Sequence, residues 1–137
     1  SIWGERGSID VLAWHERSAS LLVVEVKSVV PDSQAMLHSL DRKARLAPQL
    51  ASERGWECKN VGRLLVVGES TTARQRISRL ATTYATALPA RNVDVRHWIR
   101  QPSGPLAGLY FSPNASPGST KSTSSSPKRI RRPPEPE

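Results

Sequence analysis

At 137 residues the chain has room for one domain with a modest hydrophobic core. Its 20 Lys and Arg against 12 Asp and Glu leave a formal charge of +8, which favours polyanionic partners, nucleic acid above all. No apolar run approaches the roughly 18 residues of a membrane span, no signal-peptide pattern opens the chain, and the single Cys58 excludes an internal disulfide. A cytoplasmic protein with no membrane partner is expected.

The chain opens at Ser1 without an initiator Met and enters an apolar, aromatic run at once, so a preceding N-terminal part is expected. Residues 9–14 form a short apolar run behind a Gly-rich opening and predict a strand. The polar stretch 15–20 predicts a turn, with 21–29 returning antiparallel as the hairpin partner. Leu21-Leu22-Val23-Val24 is apolar at consecutive positions, which suits a central strand covered on both faces. Pro31-Asp32-Ser33 predicts a helix start with Asp32 or Ser33 as cap, and Met36, Leu37, Leu40 and Ala44 follow at helical spacing. Pro48 predicts a kink or a restart, and Gly55 the end of that helix.

Residues 61–67 predict another buried strand. Thr71 or Thr72 caps a second helix whose Ile77, Leu80, Ala81, Tyr84 and Leu88 make one apolar stripe, stopped by Pro89. Residues 93–99 alternate Val93, Val95 and His97 against Asp94, Arg96 and Trp98, which predicts a late strand. Strand, strand, helix, strand, helix, strand describes an α/β domain: a mixed sheet flanked by helices, over residues 1–111. From Ser112 to Glu137 the chain is Ser, Pro, Thr, Lys and Arg with one aliphatic residue, Ile130, and is expected to be a disordered tail. The body carries 15 basic and 10 acidic residues and the tail 5 and 2, so the excess is +5 and +3.

Glu25-Val26-Lys27 is the informative triplet. Strand side chains alternate faces, so Glu25 and Lys27 project together from an otherwise apolar strand while Val26 points the other way. Charges there are costly unless paired or bound to metal. Hairpin pairing can bring Asp10 beside Glu25. Two carboxylates suit Mg²⁺, with Mn²⁺ as substitute, because such ions prefer hard oxygen ligands and keep several waters. Lys27 is then placed to orient water or to neutralise charge developing on a phosphate.

Gly7-x-x-Asp10, followed by an apolar strand closing on Glu25-x-Lys27, resembles the PD-(D/E)XK nuclease superfamily. The matching stretch runs from Gly4 to about Ser28, and the helix, strand and helix beyond it also fit that core. The resemblance implies a restriction-endonuclease-like sheet flanked by helices, with Asp10 and Glu25 as metal carboxylates and Lys27 as the catalytic lysine. It implies the Val26 carbonyl as a further metal ligand. The N-terminal helix of that core is missing here or reduced to Ser1-Ile2-Trp3, with Glu5 the only nearby carboxylate. Where some branches carry Gln and Tyr on the next helix, this chain has Gln34 and then His38 on one face with Asp41 and Arg45; Gln34 is a candidate for positioning a base or phosphate, and a solvent-facing polar stripe is the alternative. The chain also resembles actinobacterial proteins in which such a domain follows a helix-turn-helix region. A homodimer is among the arrangements it allows.

Arg42, Lys43 and Arg45 are candidate phosphate contacts along a groove, and Arg74, Arg76 and Arg79 admit the same reading; for both sets a solvated basic face is the plain alternative. The scattered His15, His38 and His97 and the four tryptophans read as surface or packing residues, though Trp14 or Trp98 near a cleft can stack a base. The functional expectations are a metal-dependent nuclease acting on DNA, a catalytically silent DNA-associated module of a transcriptional regulator, and a partner-binding domain with no nucleic-acid role. The tail cluster Lys128-Arg129-Ile130-Arg131-Arg132 has charge but no aromatic ring. Removing residues 112–137 should therefore lower DNA affinity equally for all sequences and flatten its salt dependence, as measured by binding titrations at several salt concentrations.

Overall fold

The computed structural model describes residues 8–30 and 32–113, an α/β arrangement of a four-stranded mixed sheet and helices. β1 (Ser8–His15) and β2 (Ser20–Lys27) form the antiparallel hairpin. Its turn closes with the Ala19 amide donating to the Glu16 carbonyl at 3.1 Å, and Ala19 takes a φ of 52°. β3 (Asn60–Gly68) and β4 (Leu106–Ser112) add in parallel, so the order is β1-β2-β3-β4. Parallel neighbours need long crossovers. α1 (Ser33–Glu53) supplies the first, and α2 (Thr71–Arg79), α3 (Ala81–Ala87) and α4 (Asn92–Arg100) lie within the second.

The ends of α1 follow from local chemistry. The Asp32 carboxylate accepts the Ala35 amide at 3.1 Å as N-cap. At the other end Gly55 takes a φ of 84°, its amide donates to the Ser52 carbonyl and the Trp56 amide reaches back to Ala51, both at 2.9 Å. That left-handed cap favours glycine because a Cβ is strained there. Met36, Leu40, Ala44, Ala47 and Ala51 face inward at helical spacing. Pro48 neither breaks nor restarts the helix: α1 runs through it as one element.

The two faces of the sheet are covered unequally. Leu21, Val23, Leu65, Val67 and Leu109 pack under α1, α2 and α3 in the larger core, whose helical side brings in Ile77, Tyr84 and Leu88. Leu64 and Leu106 on the opposite face meet Val95 and Trp98 of α4, with Leu22, Val24, Val66 and Tyr110 partly buried around them. The chain changes faces at the β4 edge. There the Ala90 amide donates to Ala107 and the Leu109 amide to the Ala90 carbonyl, both at 3.0 Å.

The late strand expected at 93–99 is instead α4, and the last strand lies at Leu106–Ser112. Only Val95 and Trp98, three apart, are buried, while Val93 and Ile99 are 69% and 51% exposed. The alternation is incidental to which side chains the sheet can cover. Asp94 reinforces the helix by accepting the Arg91 amide at 3.0 Å. The single helix expected after Thr71 is two: Leu80 ends α2 and begins α3. Leu80 is 38% exposed and Ala81 is exposed, so the stripe reduces to Ile77, Tyr84 and Leu88.

The expectations for residues 1–7 and for the tail beyond 113 lie outside the described residues, and Ser112 belongs to β4. Among the described residues no helix is long and apolar enough to cross a membrane. Packing of α4 depends on Gly108, where a Cβ would come within 2.7 Å of Val95 Cγ2. Val95 is buried and β-branched, so it has little freedom to yield. Gly108→Ala should cost about 1–3 kcal/mol in urea denaturation, and part of that loss should return when Val95→Ala is added.

Candidate active site

The hairpin register determines the site. Asp10 on β1 stands directly opposite Glu25 on β2, so both carboxylates leave the same face of the sheet, and Lys27 shares it two residues on. This is the face under α1. From that helix Lys43 reaches down between the strands, its Nζ 3.0 Å from Asp10 Oδ1 and 3.4 Å from Glu25 Oε1. Lys27 Nζ lies 3.3 Å from Glu25 Oε2, so each oxygen of Glu25 faces an ammonium group. The Asp10, Glu25, Lys27 and Lys43 side chains are 6%, 1%, 6% and 8% exposed. Two acids and two bases thus make a compact buried network, the arrangement that lets charges leave water at tolerable cost.

Lys43 corrects one expectation. It was a candidate phosphate contact beside Arg42 and Arg45, but it is buried and turned toward the carboxylates. Its spacing carried the signal. Lys43 falls three residues after Leu40 and four before Ala47, on the stripe that Met36, Leu40, Ala47 and Ala51 bury. A lysine on an apolar helical stripe must find an anion or reach water, and among the described residues the anions on that face of the sheet are Asp10 and Glu25.

The other candidates are not brought to this cluster. Gln34 is exposed, and the nine residues to Lys43 are about two and a half helical turns, which puts the two on opposite sides of α1. The expected positioning role of Gln34 therefore has no geometric support. His38 is exposed too. Arg42 and Arg45 are exposed, and Arg45 Nε pairs with Asp41 Oδ2 at 3.3 Å while Arg63 Nη1 approaches Asp41 Oδ1 at 3.4 Å. Val26 is paired on both sides, opposite Ile9 and beside Val66, so its carbonyl lies in the plane of the sheet next to the cluster.

Arg76 donates to the Val30 carbonyl at 2.7 Å and so ties α2 to the segment that follows β2. Arg74 pairs with Glu69 and lies 4.0 Å from the centre of the Phe111 ring. The hydrogen bond from Arg74 holds the Glu69 carboxyl below its ordinary pKa. Trp14 stacks on Trp56 at 5.5 Å, and Trp98 is buried with its indole N–H on the Gly104 carbonyl.

The donor set fits a small hard cation. Two carboxylates converge on one position that a cationic group already occupies, and an ammonium bridging both oxygens is a stand-in for such an ion. Among the described residues no group of three or more His, Cys, Asp or Glu side chains converges. Two carboxylates suit an ion that takes its remaining ligands from water or phosphate. No protein-family model, no curated protein and no solved structure matches the chain.

Removing a partner from a buried network leaves charge uncompensated. Glu25→Ala, which takes a buried carboxylate partner from both Lys27 and Lys43, should lose about 3–5 kcal/mol in denaturant titrations. Asp41→Ala, at the half-exposed pair with Arg45 and Arg63, should lose no more than about 1 kcal/mol.

Proposed function

We propose that the protein is a metal-dependent nuclease with a restriction-endonuclease-like core of the PD-(D/E)XK type, hydrolysing phosphodiester bonds of DNA. The observation that carries this reading is the facing of Asp10 and Glu25 around a single cationic group, with Lys27 on the same face. The succession of a strand bearing the first acid, a strand ending in Glu25-Val26-Lys27, a covering helix and a parallel strand agrees with it.

In this reading Asp10 and Glu25 hold Mg²⁺ or Mn²⁺, with the Val26 carbonyl as the nearest backbone candidate. The ion supplies Lewis acidity toward a phosphate ester and toward water. Lys27 keeps an ammonium beside the reacting phosphate, where it orients the attacking water and offsets negative charge as it builds. Hydrolysis forms one bond from the water oxygen to phosphorus as one ester P–O bond breaks, and the leaving oxygen takes up a proton. The exposed Arg42 on α1 and the overall positive charge favour approach of the polyanion.

One observation favours a second reading. Lys27 and Lys43 pair with the two carboxylates, so among the described residues the network holds together as a structural element without a metal. A catalytically silent, DNA-associated module of a transcriptional regulator has that property.

Cleavage of labelled single- and double-stranded DNA in Mg²⁺ or Mn²⁺ separates the two. Wild type should cut and chelator should stop it. Lys27→Ala should fall by about two decades or more, since a few kcal/mol of lost transition-state stabilisation at about 1.4 kcal/mol per decade gives that factor. Its metal binding should persist, whereas Asp10→Ala should weaken metal binding itself. Folding is checked by circular dichroism. Absence of cutting by wild type in either metal would select the silent module.

A further inference from the structure

Lys43 is the one member of the buried network contributed by a helix, and it stands where the two strand carboxylates converge. Its Nζ is 3.0 Å from Asp10 and 3.4 Å from Glu25, so it is shared by both. Lys27 Nζ lies against the other oxygen of Glu25, at 3.3 Å. A cation held by both Asp10 and Glu25 must lie between them, and Lys43 occupies that space. We propose that Lys43 is an internal counter-ion that closes the carboxylate site, and that a divalent metal and the Lys43 ammonium bind there in mutual exclusion. This rests on the metal-dependent reading above and adds a gate to the same site.

The exchange is physically accessible. Lys43 carries its charge on a flexible four-carbon stem, and of the residues one turn away beside it on α1 Ser39 is half-buried and Leu46 is 53% exposed. A modest swing about the stem would take the ammonium to water without unfolding α1. Charge also favours reciprocity. Counted over these four groups alone, the charge is zero with Lys43 docked and one unit more negative with Lys43 withdrawn, which favours a cation in its place. The docked lysine holds apparent metal affinity down in proportion to the time it spends in place. If the site is open for about a tenth of the time or less, affinity is lowered about tenfold or more.

The test is Mn²⁺ binding to the full chain, read by electron paramagnetic resonance of the free ion, for wild type, Lys43→Met and Lys43→Met/Asp10→Asn. Methionine keeps the unbranched four-atom apolar stem of the lysine and removes its ammonium. Lys43→Met should bind one Mn²⁺ about tenfold or more tighter than wild type, and adding Asp10→Asn should remove that site. In parallel, wild type is acylated with an amine-reactive ester with and without Mn²⁺, and modification of Lys43 is read by mass spectrometry. Lys43 should be protected in the absence of metal and become reactive as Mn²⁺ binds. This arm needs no variant and decides the matter should Lys43→Met fail to fold. Equal Mn²⁺ affinity of wild type and Lys43→Met, or Lys43 still protected when wild type is saturated, overturns the gate and leaves the metal site standing. Failure of both proteins to bind Mn²⁺ overturns the gate together with the metal-dependent reading.

Discussion

An ionised carboxylate can be carried beneath a helix only if something replaces the water it loses. Asp10 and Glu25 face each other across two antiparallel strands under α1, and each finds that replacement in a lysine. The requirement reaches outward from the cluster. It ties the hairpin register, because a one-residue slip would send Asp10 to the opposite face and leave Glu25 with Lys27 and Lys43 alone. It ties the rotation of α1, because Lys43 must point at the sheet while Met36, Leu40 and Ala47 fill the apolar space along the same stripe. Register and helix orientation are thus linked through charge as well as through burial.

The remainder of the fold holds that geometry still. β2 lies between β1 and β3, so the strand bearing Glu25 and Lys27 is bonded on both sides. Arg76 fastens the segment after Lys27 by taking the Val30 carbonyl, and Ser33 at the start of α1 lies 2.5 Å from the buried Tyr84 hydroxyl of α3. Burial pushes the Tyr84 pKa up, so the contact joins neutral groups across the neutral pH range. On the far side Gly62 and Gly108 let Trp98 and Val95 approach the sheet backbone, which gives β3 and β4 a second packed layer.

At the junction of two strands and a helix the two acids and two lysines form a buried ion network. Buried ionic groups of this kind are costly relative to an apolar core of the same volume.

Much of the site was legible in the amino-acid order. The parity of Glu25 and Lys27, and the short turn that folds Asp10 back toward them, follow from the two-residue period of strands and from hairpin geometry. The Asp32 cap, the Gly55 stop and the strand at 61–67 are likewise local signals with local causes. Periodicity could not place the last strand, because 93–99 alternates as a strand does while its burial is decided by which side chains β3 and β4 can cover. Lys43 shows the same limit. Its position on the apolar stripe of α1 was written in the sequence, but its role depends on two carboxylates on distant strands. The sequence by itself determined which residues carry charge and, for Asp10, Glu25, Lys27 and Lys43, which local element each one occupies. Only the tertiary structure decided which charges meet, because pairing across strands and under a helix depends on how separate elements pack, and no local period encodes that.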